Sequence, residues 1–447
     1  MSKCNCEHDP DVNITFGSKN PKEVCDIITP LGIVLPSLQE LENHYMGIYN
    51  SGNVASSSPH YFKGYKDDPR LEFLKFKINV SYCTIESFEL SIKARGSMVI
   101  VEPVKKLKSW DGSGEHEKLP CGDYAWEWDG YANLTAFSGT EPNPKYRDEY
   151  GEGVLNTKFL KREDITLHFK YKWDGGKKEG EVIKKLVYDS IASRGDWLDV
   201  SVIKNAKMVR LHMRVMAKNQ INSRREVKGR GYSILHGMIQ KGIEVYWRRD
   251  KNNMGFNQTA GPLHWQEGGS VLHLHDLQLK ANKKDWIMHC RSEVINGEKE
   301  KWFNNTYLNV WYNQHSYAAG PGRNLSFNSK EYVTDPNGTD AHFLHTSAHE
   351  YGHHILHDAY TKDFSWGHKK TSTWGGTIDK NADQYDHWLT VCANSGLKVE
   401  FDLMRYYFAS STHFTDGLLH CKANNDDARG AIWLTKPRFT LKTVKSK

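Results

Sequence analysis

The chain of 447 residues has no apolar run approaching the roughly 18 residues a membrane helix needs, so helical insertion into a bilayer is not expected. Its opening, MSKCNCEHDPDVN, lacks the apolar core of a general-secretory leader. The protein is therefore expected to be soluble, either kept in the cytoplasm or exported by a route that reads another signal. Cysteine is sparse: eight residues, at 4, 6, 25, 83, 121, 290, 392 and 421, with no CxxC pair. That excludes a zinc ribbon. Excess charge of one sign is also missing. A formal net charge of +6 is mild for this length and does not point to nucleic acid. The basic residues that thicken between Lys218 and Lys251 read as a solvated linker and strand edge. There is no Walker A lysine loop, no GxGxxG after a strand and no GxSxG elbow. Nucleotide-cradling loops and serine-hydrolase elbows are thereby excluded, and no internal repeat is evident.

What is present is aromatic and strand-forming. Aromatics reach 12%, with 14 Trp and 22 Tyr, and such rings favour strands and a covered interior. Apolar residues at 38% and charged residues at 26% exclude a disordered tail or a collagen-like fibre. The length suits roughly two to four domains. Cys4-Asn5-Cys6 with His8 is a short grouping able to hold a metal, and the even cysteine count permits disulfides in an oxidising space.

The expected fold class is α+β: a β-rich front and a mixed back. Residues 1–60 form an N-terminal segment, with a helical pattern over 35–49 and a Ser/Gly-rich break after it. Residues 61–220 read as a β-sandwich-like domain. Ser87 to Pro103 looks like two strands joined at Arg95-Gly96, and further strands are expected at 123–137, 164–172 and 182–188. Leu198 to Val202 and Val209 to Val215 alternate as a hairpin with one dry face. Tyr124, Trp126, Trp128 and Tyr131 read as one packed strand face, or else as a binding strip. Residues 218–230 are polar and basic and mark a boundary. Residues 221–447 form the second domain. It is expected to hold a helix from Tyr232 to Lys241, then strands at 242–248, 271–279, 285–293 and 307–312.

The most informative stretch is a helical one, about 340–360, containing His349-Glu350-Tyr351-Gly352-His353, an HExxH. Positions i and i+4 lie one above the other on a helix. Two imidazoles there can bind one Zn²⁺, and a glutamate beside the first can move a proton from water to a leaving amine. Ala348 and Gly352 are small, as suits a helix packed closely behind a metal. Thr339, Asp340 or Ser347 could cap the helix start. The strand at 307–312 offers an edge for an extended peptide. A catalytic zinc needs a third protein ligand. His357, at i+8, His368 in SWGHK, Asp379 and Glu400 are the options.

On these residues, 231–447 resembles the zincin-type metallopeptidases: a sheet with a helix, the active-site helix, then a helical lower lobe. The metzincin pattern HExxHxxGxxH is not met, because Ala359 stands six after His353. Gly376-Thr377-Ile378-Asp379 is similar to the GTxD of the deuterolysin-like aspzincins but lies further from His353 than in that family. A closer likeness is to bacterial metallopeptidase-like proteins found with type VI secretion and polymorphic toxin systems. It is carried by HEYGHHIL (349–356), SWGHKKTS (365–372), FDLMRYY (401–407), AIWLTK (431–436) and YAWEWDGYANL (124–134), and so covers most of the chain. The resemblance implies an N-terminal β-sandwich-like region followed by a zincin-like metallopeptidase domain. It implies Zn²⁺ held by His349, His353 and His368, with Glu350 as general base. Arg405, Tyr406 or Tyr407 would stabilise an oxyanion. The implied activity is amide hydrolysis in a protein or a peptidoglycan stem peptide. The implied setting is a toxin-like effector secreted without a classical signal, with an immunity protein and secretion-spike components as partners and no nucleic acid. The alternatives are a non-catalytic spike-associated component with a relic zincin domain and a cytosolic processing peptidase. Glu350 argues against the relic, since a structural site would not need it.

Overall fold

The computed structural model describes residues 6–17, 74–94, 98–132, 153–162, 164–188, 196–203, 206–217, 232–253, 256–259, 275–278, 280, 285–297, 307–313, 317–319, 324–328, 341–360, 399–400, 403–404, 421–433 and 439–444. The helical pattern at 35–49 and the basic linker at 218–230 lie outside them. The fold is α+β and rich in strand.

Strict alternation builds the front. In β2 (Leu74–Ser81), Leu74, Phe76, Ile78 and Val80 are buried while Lys75, Lys77, Asn79 and Ser81 face outward. Antiparallel pairing sets β2 between β1 (Asp11–Phe16) and β7 (Gly122–Trp128). β5 (Leu107–Ser109) and β6 (Glu115–His116) complete a five-stranded sheet in the order β1-β2-β7-β5-β6. A second antiparallel sheet runs β20-β10-β9-β3-β4. Its strands are β3 (Ser87–Ala94), β4 (Met98–Val104), β9 (Ile165–Trp173), β10 (Lys178–Tyr188) and β20 (Phe439–Thr443). Trp128 of the first sheet meets Phe439 of the second, ring centroids 5.4 Å apart, so the two apolar faces close on one core. Tyr124, Trp126, Trp128 and Tyr131 are all buried in it, and Trp126 stacks on Phe76 at 5.2 Å. The aromatic strip is core, not a binding surface. Cys6 is bonded to Cys83, which ties the segment before β1 to the turn after β2, and Cys121 is disulfide-bonded as well. Of the two roles open to Cys6, metal ligand and disulfide, the structure shows the disulfide.

The back is a mixed sheet with its two longest helices on one side. β8 (Val154–Asn156) leads into the short helix α1 (Thr157–Arg162), then β11 (Leu198–Ile203) and β12 (Met208–Ala217) form the expected hairpin. β12 also pairs in parallel with β15 (Ile287–Asn296) and, at its end, with β16 (Leu308–Asn313). β16 is followed in the sheet by β18 (Asn324–Asn328), parallel, and β17 (Tyr317–Ala319), antiparallel. Three of the expected limits are corrected by this pairing. The 198–217 hairpin belongs to the sheet of the second half, so strand pairing crosses residue 220. β1 and β20 belong to the sandwich, so it draws strands from the 1–60 segment and from the far end of the back half. The 307–312 strand is interior, between β12 and β18, and β17 ends that flank of the sheet among the described residues. A small sheet joins β13 (Phe256–Thr259), β14 (His275–Gln278) and β19 (Val399–Glu400).

Helix α2 (Tyr232–Tyr246) runs through the segment 242–246 that was expected to be strand. The reason is packing. Leu235, Met238, Ile239, Ile243 and Tyr246 continue one helical stripe, and Gly242 sits in it. A Cβ at Gly242 would overlap the Leu344 carbonyl oxygen and Ser347 Oγ of helix α3 (Ala341–Tyr360), so glycine here is a point of close approach rather than a break. The end of α2 is capped from a distance. Ala423 N–H donates to Tyr246 O at 2.9 Å, and Lys422 Nζ donates to Val245 O at 2.6 Å. Helix α4 (Asn425–Trp433) starts on a reciprocal cap, with Asn424 Oδ1 accepting from Asp427 N–H and Asp427 Oδ2 from Asn424 N–H.

Candidate metal centre

The HExxH lies on α3 as the spacing requires. His345, His349 and His353 follow one another at four-residue steps. The His345 and His349 rings lie 5.5 Å apart, and His353 meets His349 edge-on at 4.9 Å. His349, Glu350 and His353 are buried, and one ligand atom from each falls within 4.8 Å of the others. Among the described residues this is the one grouping of its kind.

The hydrogen bonding of His349 sets its chemistry. Its Nδ1 lies 2.7 Å from the Leu403 carbonyl oxygen, which can only accept. The proton is therefore on Nδ1, and Nε2 carries the lone pair a metal needs. Leu403 is held in turn by its N–H donating to Lys422 O at 2.9 Å. Beneath the helix, Trp247 Nε1–H donates to Ala348 O at 3.1 Å. A Cβ at Gly352 would overlap the Met404 sulfur and come 3.3 Å from the Trp247 ring. The expectation of close packing at Ala348 and Gly352 is met, and the neighbours are Trp247 and Met404. Arg249 supports the same wall by donating to Ala423 O at 2.6 Å. Tyr246, edge-on to His345 at 5.8 Å, has its phenol pushed far up by burial and then by Cys421, and it stays neutral.

The group could hold a metal: two buried imidazoles are nitrogen donors of the kind a borderline dication takes, with the Glu350 carboxylate beside them. Burying a carboxylate is expensive unless a positive charge stands beside it, and a bound dication supplies one.

Other expected residues fall differently. Ser347 lies inside α3 and donates to Leu344 O at 2.8 Å, so it does not cap the helix start. Thr339, Asp340, His368, Asp379, Arg405, Tyr406 and Tyr407 lie outside the described residues. His357 is on α3 and Glu400 on β19, where its backbone pairs with Asn257; their side chains lie outside the described set. Residue-type reasoning missed Leu403, Met404 and Trp247. The stretch FDLMRYY was singled out, yet Leu403 acts through its main-chain oxygen, which no side-chain motif reveals. No family model matches the chain, and no curated protein or solved structure matches it.

Proposed function

We propose that the protein is a zinc-dependent peptidase. The observation that carries this reading is the buried His349–Glu350–His353 group with the His349 proton fixed on Nδ1 by Leu403. His349 and His353 would hold the metal, with His368 as the proposed third ligand. A zinc ion bound there supplies Lewis acidity toward a scissile carbonyl and makes water more acidic. Glu350 takes the proton from the attacking water and delivers it to the leaving amine. The Leu403 carbonyl keeps the His349 ring in one orientation and one tautomer through the cycle. Trp247 and Met404 exclude water from behind the helix. An extended substrate would add to the sheet at β17, which lies against α3 and ends its flank among the described residues. The substrate is an amide bond in a protein or a peptidoglycan stem. The cross-linked sandwich favours action in an oxidising space. Delivery as a secreted effector, with an immunity partner, belongs to the same proposal.

The test is metal content and peptide hydrolysis of the wild type beside Glu350→Gln and His353→Ala. About one zinc in the wild type and in Glu350→Gln is expected, with hydrolysis lost by roughly 10²–10⁴-fold in the latter. His353→Ala should lose the metal. A wild type that binds no zinc, or a Glu350→Gln protein that cleaves normally, ends the peptidase reading.

A further inference from the structure

The mixed sheet has a second face that the proposed peptidase does not use. Side chains alternate across a strand. On β12, Val209, Leu211, Met213 and Val215 turn toward the helices. Ser292, in register with Met213, marks that side by bonding Gln240 O and Glu244 of α2. Arg210, His212 and Arg214 turn the other way. Parallel register sets His289 beside Arg210 and Arg291 beside His212. Neighbouring strands lie about 4.8 Å apart, so these side chains form a flat basic array. Lys158 of α1 reaches it too. His212 is held below its ordinary value first by burial and then by the positive charges of Arg214, Lys158 and Arg291, against the opposing pull of Asp199. Arg291 and Lys158 are exposed, while Arg210, His212 and His289 are half-buried.

The acids nearby are engaged or distant. Asp199 is buried in an ion pair with Arg214. Asp250 pairs with Arg248 at 3.0 Å and lies 3.6 Å from His289. Glu293 is exposed at the far end, in register with Arg214. A stiff duplex with evenly spaced phosphates laid along the face would meet Asp250 and Glu293 as well as the cations. A protein surface can place its carboxylates opposite Arg291, Lys158 and His212 and avoid those two acids. Arginine suits such a contact because its planar fork takes carboxylates in pairs.

We propose that this face docks an acidic protein partner through Lys158, His212 and Arg291. The experiment uses immobilised poly-L-glutamate as the carboxylate probe and a duplex DNA 20-mer as the phosphate probe. Both are tested against the full chain at low and moderate salt. The variant is Lys158→Glu/Arg291→Glu, two exposed positions, and the control is Lys108→Glu, an exposed position on β5. Poly-glutamate should bind the wild type and the control alike. The double variant should bind at least about tenfold more weakly, as expected when charges facing a complementary surface are reversed. The His212 ring titration, followed by NMR, should move upward when poly-glutamate is added. Zinc content should be the same in all three proteins, which separates this surface from the peptidase reading. Equal binding by the double variant and the control would overturn the proposal. So would tighter binding of the DNA than of poly-glutamate through the same two residues.

Discussion

The two halves of the chain are held together by different means. The sandwich is antiparallel, apolar within, and fastened by cystine: Cys6 to Cys83, with Cys121 also bonded. In the mixed half Cys290 and Cys421 stand outside any disulfide, the first pushed well up by burial and by Glu244. That half also buries His345, His349, Glu350, His353, Arg249 and Asp427, where the front buries almost only apolar groups. The antiparallel front relies on covalent ties and apolar burial. The mixed half accepts buried polar groups and secures them with neighbours such as Leu403 and Trp247.

Reduction offers the largest test of that contrast. The Cys6–Cys83 bond spans a sequence separation of 77. A loop of that size contributes up to about 4.5 kcal/mol by loop entropy. Hydrogen exchange with and without reductant should quicken in β1 and β2 and leave α3 protected. Equal loss in α3 would mean that the halves unfold as one unit and the comparison collapses. A middle-sized test compares two helical glycines. Gly352→Ala should destabilise by about 1–3 kcal/mol in urea melts, because the new methyl overlaps Met404. Gly237→Ala, with nothing within 4 Å, should stabilise by up to about 1 kcal/mol. A stabilising Gly352→Ala would show that the Met404 wall is not tight.

The smallest effects come from pH, and histidines and buried tyrosines contribute with opposite signs. His212, His236 and His289 are all held below their usual value, first of all by burial. Their folded forms favour the neutral ring. Their contribution is complete above the unfolded value of about 6.5 and fades as the pH falls through it. Tyr124, in the front, has its phenol pushed up to about 12 by burial and donates to Pro120 O at 2.6 Å. Its contribution is intact below about 10 and fades as the pH rises toward 12. Melts of the wild type beside Tyr124→Phe and His212→Gln should lessen the alkaline and the acid slope respectively.

How much of this was legible follows from which period each segment obeys. Alternation gave β3, β9, β10 and the β11–β12 hairpin, since one wet and one dry face leave a plain trace, but β2 was not read from it. The HExxH placed α3 and its three site residues together. Gly242 was misread because a glycine that ends a helix and a glycine that lets two helices touch look alike in one dimension. Pairing of β12 with β15, or of β20 with β10, leaves no local mark at all, so the domain limits and the supposed edge at 307–312 could not be placed from pattern. Leu403 contributes a carbonyl, the one group every residue shares.

The pairing of β20 with β10 has a consequence for how the protein is made. Lys184 and Thr443, which touch across that pair, are 259 positions apart. At roughly 5–20 residues per second, a ribosome delivers the partner strand on the order of ten to fifty seconds after β10 has emerged. For that interval one rim of the sandwich is bare and ready to pair with a neighbouring chain. The mixed half, made in between, has time to fold first, and the front is sealed only when the strand that follows α4 arrives.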